Sequence, residues 1–148
     1  MKKVIPKVLG VVAFLIALFF GKIIGNTAVE VFNSSGEKSN LNSMLMKSAS
    51  EINVNLPMMI DAETRLDATV GMNRIMRYNY TLINYSINEI SAQDIQDSLT
   101  KKVTNYVCTT DGMKFFVNNN ITVTYAYYSK EGKEITTIPV PSTKCKGI

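Results

Sequence analysis

Fourteen consecutive uncharged residues, VLGVVAFLIALFFG at positions 8–21, constrain this chain more than any other stretch. None carries a hydrogen-bonding side chain. Lys2, Lys3 and Lys7 precede the run and Lys22 closes it. Counting Val4, Ile5 and the Ile23–Ile24 pair extends it over residues 4–24, close to the roughly 20 residues that a ~30 Å hydrocarbon layer requires. Lys22 then extends its stem and leaves its ammonium among headgroups. The reading is a transmembrane helix, with the lysines holding the N-terminus on the cytoplasmic side and the bulk of the chain outside. The lipid bilayer is thus an expected partner, through residues 4–24.

A cleaved signal peptide is the alternative, since the basic start and the apolar length suit one. The cleavage region suits it less well. Cutting after Gly25 leaves Ile23 at the third position before the cut, and cutting after Ala28 leaves Asn26 there. Gly21 and Gly25 form a small-xxx-small pair that would let two helices approach, although glycine is common in membrane helices generally.

The anchor also explains the charge. The net +4 rests on Lys2, Lys3, Lys7 and Lys22, and from Asn26 onward twelve basic residues face twelve acidic ones. The basic balance is a topology signal, and no nucleic-acid partner is expected. The expected division is 1–25 cytoplasmic tip and anchor, 26–36 linker, and 37–148 an extracytoplasmic domain. Two cysteines, Cys108 and Cys145, fall in that domain. On the oxidising side an even pair reads as a structural disulfide tying the C-terminal tail back. A redox pair would need close spacing such as C-x-x-C, which is absent.

Leu41, Met44, Leu45, Ala49 and Ile52 fall at helical spacing and predict an amphipathic helix over 37–52. Leu66, Ala68, Val70 and Met72 alternate with Arg65, Asp67 and Thr69, and Met76, Tyr78, Tyr80 and Leu82 alternate with Arg77, Asn79 and Thr81. Both read as half-buried strands of one hairpin, turning near 71–73. Ser91-Ala92-Gln93-Asp94 resembles a capping box, followed by a helical stripe of Ile95, Leu99, Val103, Tyr106 and Val107. A short second turn carries Met113, Phe116 and Val117. ITVTYAYY at 121–128 is strongly strand-prone, and 135–140 returns beside it, with Pro139 marking an edge. The order helix-strand-strand-helix-strand-strand predicts an α+β domain of two layers with a four-stranded antiparallel sheet.

The chemistry on offer is sparse. The chain contains no histidine, which removes the commonest general base, the commonest zinc ligand and every nucleophile–histidine pair. No phosphate-binding glycine loop is present. The expectation is no catalytic residue, no metal and no cofactor. One cluster remains: Asp61, Glu63, Arg65 and Asp67 would share a strand face. Three carboxylates there suit a cation or an acid/base pair. The interposed Arg65 points instead to internal charge pairing, leaving a solvated face or a partner-binding face. The tyrosines 78, 80, 85, 125, 127 and 128 read as sheet residues. The methionines 44, 46, 58, 59, 72 and 76 read as core filling.

The runs NLPMMIDAETRLDATVGMNRIMRYNYTLINYS (55–86) and VCTTDGMKFFVNNNITVTYAYYSKEGKEI (107–135) resemble a family of small bacterial membrane-anchored proteins with no assigned activity. The shared features are the N-terminal apolar segment, L-P-x-M-x-D-x-x-T-R-x-D and the paired cysteines. The resemblance implies a bacterial inner membrane, single-pass placement with the domain in the periplasm, and it carries over no catalytic residue. Function is expected to be non-enzymatic, a tethered domain that binds another cell-envelope protein. The alternatives are a small-ligand-binding or sensing module and, third, a pilin-like subunit, for which the short leader and the glutamate opening the apolar helix are missing.

Overall fold

The computed structural model describes residues 38–146, and the stretch 4–24 lies outside them. The chain runs α1 (Lys38–Asn53), β1 (Met58–Met59), β2 (Thr64–Met72), β3 (Ile75–Leu82), α2 (Ala92–Thr109), α3 (Lys114–Asn118), β4 (Thr122–Ser129) and β5 (Glu134–Val140). Single 3₁₀ turns, Asp111–Met113 and Ser142–Cys145, precede α3 and follow β5.

The sheet is not the expected four-stranded antiparallel one. It has five strands in the order β1-β2-β3-β4-β5, and β3 pairs with β4 in parallel while the other neighbours are antiparallel. The two hairpins lie side by side, but they are joined by helical segments rather than a turn. The chain leaves the end of β3, returns through α2 and α3, and enters β4 in the same direction as β3, which is the geometry a crossover imposes. The fifth strand is the two-residue β1, with Met58 opposite Leu66 and Met59 opposite Arg65. Two residues offer no periodicity to read.

Each helix follows from its own stripe. In α1, Leu45, Ala49 and Ile52 are buried. In α2, Ile95, Leu99, Val103 and Val107 are buried, and the Ser91 side chain caps the first turn by accepting from the Asp94 backbone N–H. Both helices cover the same face of the sheet. Thr69 Oγ1 donates to the Ala49 carbonyl at 3.1 Å, and Gln96 of α2 donates to Thr136 Oγ1 at 2.8 Å. Met76, Tyr78, Tyr80, Leu82, Val123, Tyr125, Tyr127, Ile138 and Val140 line that inner face in one continuous core. Cys108, near the end of α2, forms a disulfide with Cys145, their Cα atoms 5.0 Å apart.

The membrane placement is corrected as well. Among the described residues no helix is long and apolar enough to cross a membrane. The single-pass inner-membrane assignment therefore has no span to rest on here.

Candidate functional site

A β-bulge decides which side chains the sheet shows to the outside. The β2–β3 register slips between Leu66 and Ala68. Before the slip Thr64 and Leu66 point inward; after it Thr69 and Gly71 do. One extra residue inverts the alternation. Val70 and Met72, expected on the buried side, emerge on the outer face and are 44% and 49% exposed. Ile75, opposite Met72 across the turn, is 43% exposed. The turn itself has positive φ at both Asn73 (51°) and Arg74 (60°), the twist that two-residue hairpins prefer. Met46 and Met59 are also exposed, so core filling does not describe all the methionines.

The structure divides the four acidic-cluster residues. Asp61 and Glu63 lie in the bend before β2, not on the strand face. Asp61 Oδ1 accepts from the backbone N–H groups of Glu63 (2.7 Å) and Thr64 (2.8 Å), which closes the bend. Its other oxygen is buried and unpartnered among the described residues. Glu63 accepts from the Tyr85 hydroxyl at 3.1 Å; burial, and then this carboxylate, push the Tyr85 pKa up. Arg65 and Asp67 do share the outer face. Arg65 Nε donates to Asp67 Oδ1, and Thr81 Oγ1 donates to Asp67 Oδ2. Asp67 is thereby neutralised within the face. Among the described residues no three metal-ligating side chains converge.

A second polar network lies across the same face, unnoticed in the sequence because its members are 57 residues apart. Arg77 donates to Asn79 Oδ1 (2.9 Å), the Tyr128 hydroxyl (2.9 Å) and Glu134 Oε2 (2.7 Å). Tyr128 and Thr137 each donate to Glu134 at 3.1 Å. Partial burial opposes the charge on Glu134, but the hydrogen bonds from Thr137, Tyr128 and Arg77 outweigh it and lower its pKa below the usual carboxylate range. The parallel β3–β4 pairing makes this network possible, since it lays Arg77 against β4, the strand that carries Tyr128 and pairs it with Glu134.

The outer face thus presents an apolar strip of Val70, Met72 and Ile75 at the hairpin end, continuous with internally compensated polar networks. Such a surface has little capacity for chemistry, because every charged group on it already has a partner. It suits contact with another protein, with exposed apolar groups gathered at one end and polar groups around them.

Residues 40–136 match the family model described as a domain of unknown function, DUF8479. The chain belongs to that family. The match begins beyond residues 4–24 and so bears only on the domain. No curated protein matches the sequence. Among solved structures, the chain is similar to a putative secreted protein from Pseudomonas aeruginosa, with a TM-score of 0.63 at 18% identity, covering 77% of this chain and 100% of the other. It is also similar to EpsS, the pilotin of the type 2 secretion system of Vibrio vulnificus (0.59, 12% identity, 75% and 96% covered). A third is AspS, the type II secretion system pilotin of Vibrio cholerae (0.55, 11% identity, 73% and 94% covered). At these identities the likeness establishes a shared fold.

Proposed function

We propose that this domain is a non-enzymatic protein of the bacterial cell envelope that binds another envelope protein, and that the open face of its sheet is the docking surface. The observation that carries the reading is the strip of Val70, Met72 and Ile75, three large apolar side chains nearly half exposed on a face that neither α1 nor α2 covers. Completing their burial would contribute roughly 2–4 kcal/mol. That is enough to anchor a contact whose remaining area is polar, but not a full interface alone. Two further facts support the reading. The fold is shared with two secretion-system pilotins and with the protein described as a putative secreted protein, and the disulfide fits an oxidising compartment. Arg65 and Asp67, and the Arg77–Glu134 network, form the polar surround in this scheme, while Asp61 and Glu63 shape the bend at its border.

A photocrosslinking amino acid placed in cells at Val70, Met72 or Ile75 is expected to capture one discrete envelope protein. The same probe at Lys101, exposed on α2, is expected to capture none. Equal capture from both positions, or capture at Val70 that persists unchanged in an Arg77→Glu background with Met72→Asp, sinks the proposal.

A further inference from the structure

The parallel pairing of β3 and β4 has built a block of four tyrosines inside the core. Tyr78 sits opposite Tyr125 and Tyr80 opposite Tyr127. The rings are nearly parallel, with centroids 5.8 Å apart for Tyr78–Tyr125 and 5.5 Å for Tyr80–Tyr127. Tyr80 and Tyr125 also stack on each other, with centroids 6.4 Å apart. They are also the two whose hydroxyl oxygens are fully buried and make no hydrogen bond among the described residues.

Burial raises the pKa of both phenols well above the ordinary value, with the neighbouring tyrosines adding to the effect. Both therefore stay protonated, each with a hydrogen to donate and lone pairs to fill. Tyr106 of α2 comes close enough to Tyr78, Tyr80 and Tyr125 to act on all three electrostatically. It is itself only partly buried, so the hydroxyl layer reaches toward the surface along α2. Apolar side chains pack around the block, and the one carboxylate that acts on it, Asp61 against Tyr127, opposes an anionic occupant.

Buried polar groups in folded proteins are almost always hydrogen-bonded, and where protein partners are absent an ordered water supplies the bonds, typically about three per water. We infer that the core between the tyrosine block and α2 contains a built hydration site, in which ordered water bonds the hydroxyls of Tyr80 and Tyr125. At hydrogen-bond lengths near 2.8 Å, one water spans two oxygens up to about 5.6 Å apart and a pair of waters spans more; the ring centroids stand 6.4 Å apart. The occupant is neutral and small, and the site is a fixed part of the fold rather than a docking surface.

A crystal structure of the wild-type domain at a resolution that shows ordered solvent decides the matter. The expected result is density within hydrogen-bond distance of both hydroxyl oxygens. Absence of density there, or density that only an organic molecule fits, overturns it. Tyr80→Phe and Tyr125→Phe each delete one oxygen and test the same point in solution. Each is expected to lower Tm by roughly 2–6 °C, and the double variant by less than the sum, because the second deletion acts on water already displaced. If both single variants raise Tm and their effects add, the hydroxyls have no water partner and the inference fails.

Discussion

At the scale of single residues, close approach governs. A Cβ on Gly71 would lie 2.2 Å from the Leu45 carbonyl oxygen and 3.0 Å from Leu45 Cβ. The backbones of β2 and α1 touch there because glycine permits it. Gly71→Ala is expected to destabilise the domain by about 2 kcal/mol, read as a fall in the urea midpoint. Two residues away, the Asn53 side chain donates to the Thr69 carbonyl (2.9 Å) and accepts from the Thr69 N–H (2.7 Å). A side-chain amide here takes the place of a neighbouring strand and closes the β2 edge beyond the short β1. Neither contact is written in the local sequence: Gly71 looks like a turn glycine and Asn53 like a helix stop. Glu134 gives the residue-scale pH dependence. Its folded pKa is lowered, so its contribution is present above the unfolded value of about 4.3 and is lost as pH falls through the lower folded value. Glu134→Gln is expected to flatten the stability–pH slope below about pH 4.5 in chemical denaturation. Because the side chain is 48% exposed, the effect is small.

At the scale of elements, the helices were legible and the sheet only partly so. Helical stripes and the Ser91 cap located α1 and α2 to within a residue or two, because a 3.6-residue period repeats several times in each. The strands β2 to β5 were found as strands. Their faces were read correctly on β3, where Met76, Tyr78, Tyr80 and Leu82 are buried, and incorrectly on the second half of β2. A bulge leaves no composition signal, yet it moved Val70 and Met72 to the outside. The element-scale prediction concerns the link between α2 and the turn after β5. Removing the Cys108–Cys145 bridge by Cys→Ser at both positions is expected to cost about 4 kcal/mol at most, the chain-entropy value for a loop of this length. Reduction of the wild type should give the same drop in Tm, while the inner-face strands keep their far-UV signal up to the new transition.

At the scale of the whole molecule, the two faces of the sheet do different work. The inner face holds the helices and the tyrosine block; the outer face carries little of the stability. Val70→Thr, Met72→Thr and Ile75→Thr together are therefore expected to change the unfolding free energy by less than about 1.5 kcal/mol, without altering the denaturant slope, while threonine at the two strip positions that do not carry the probe is expected to abolish the crosslink described above. Loss of stability well beyond that would show that the strip supports the fold instead.

The candidate site was the least legible part. Of Asp61, Glu63, Arg65 and Asp67, adjacency in sequence suggested one shared face; the bend before β2 separated the first two from the last two. The Arg77–Glu134 network was invisible, because only the crossover places its strands together. Sequence alone determined the α+β class, the positions of the main helices and strands, and the poverty of catalytic side chains, because these depend on local periodicity and residue type. Tertiary structure decided the parallel pairing of β3 with β4 and the side on which each β2 residue emerges. Those depend on how distant segments meet, and pairing register and crossover direction are set by the packing of the whole core.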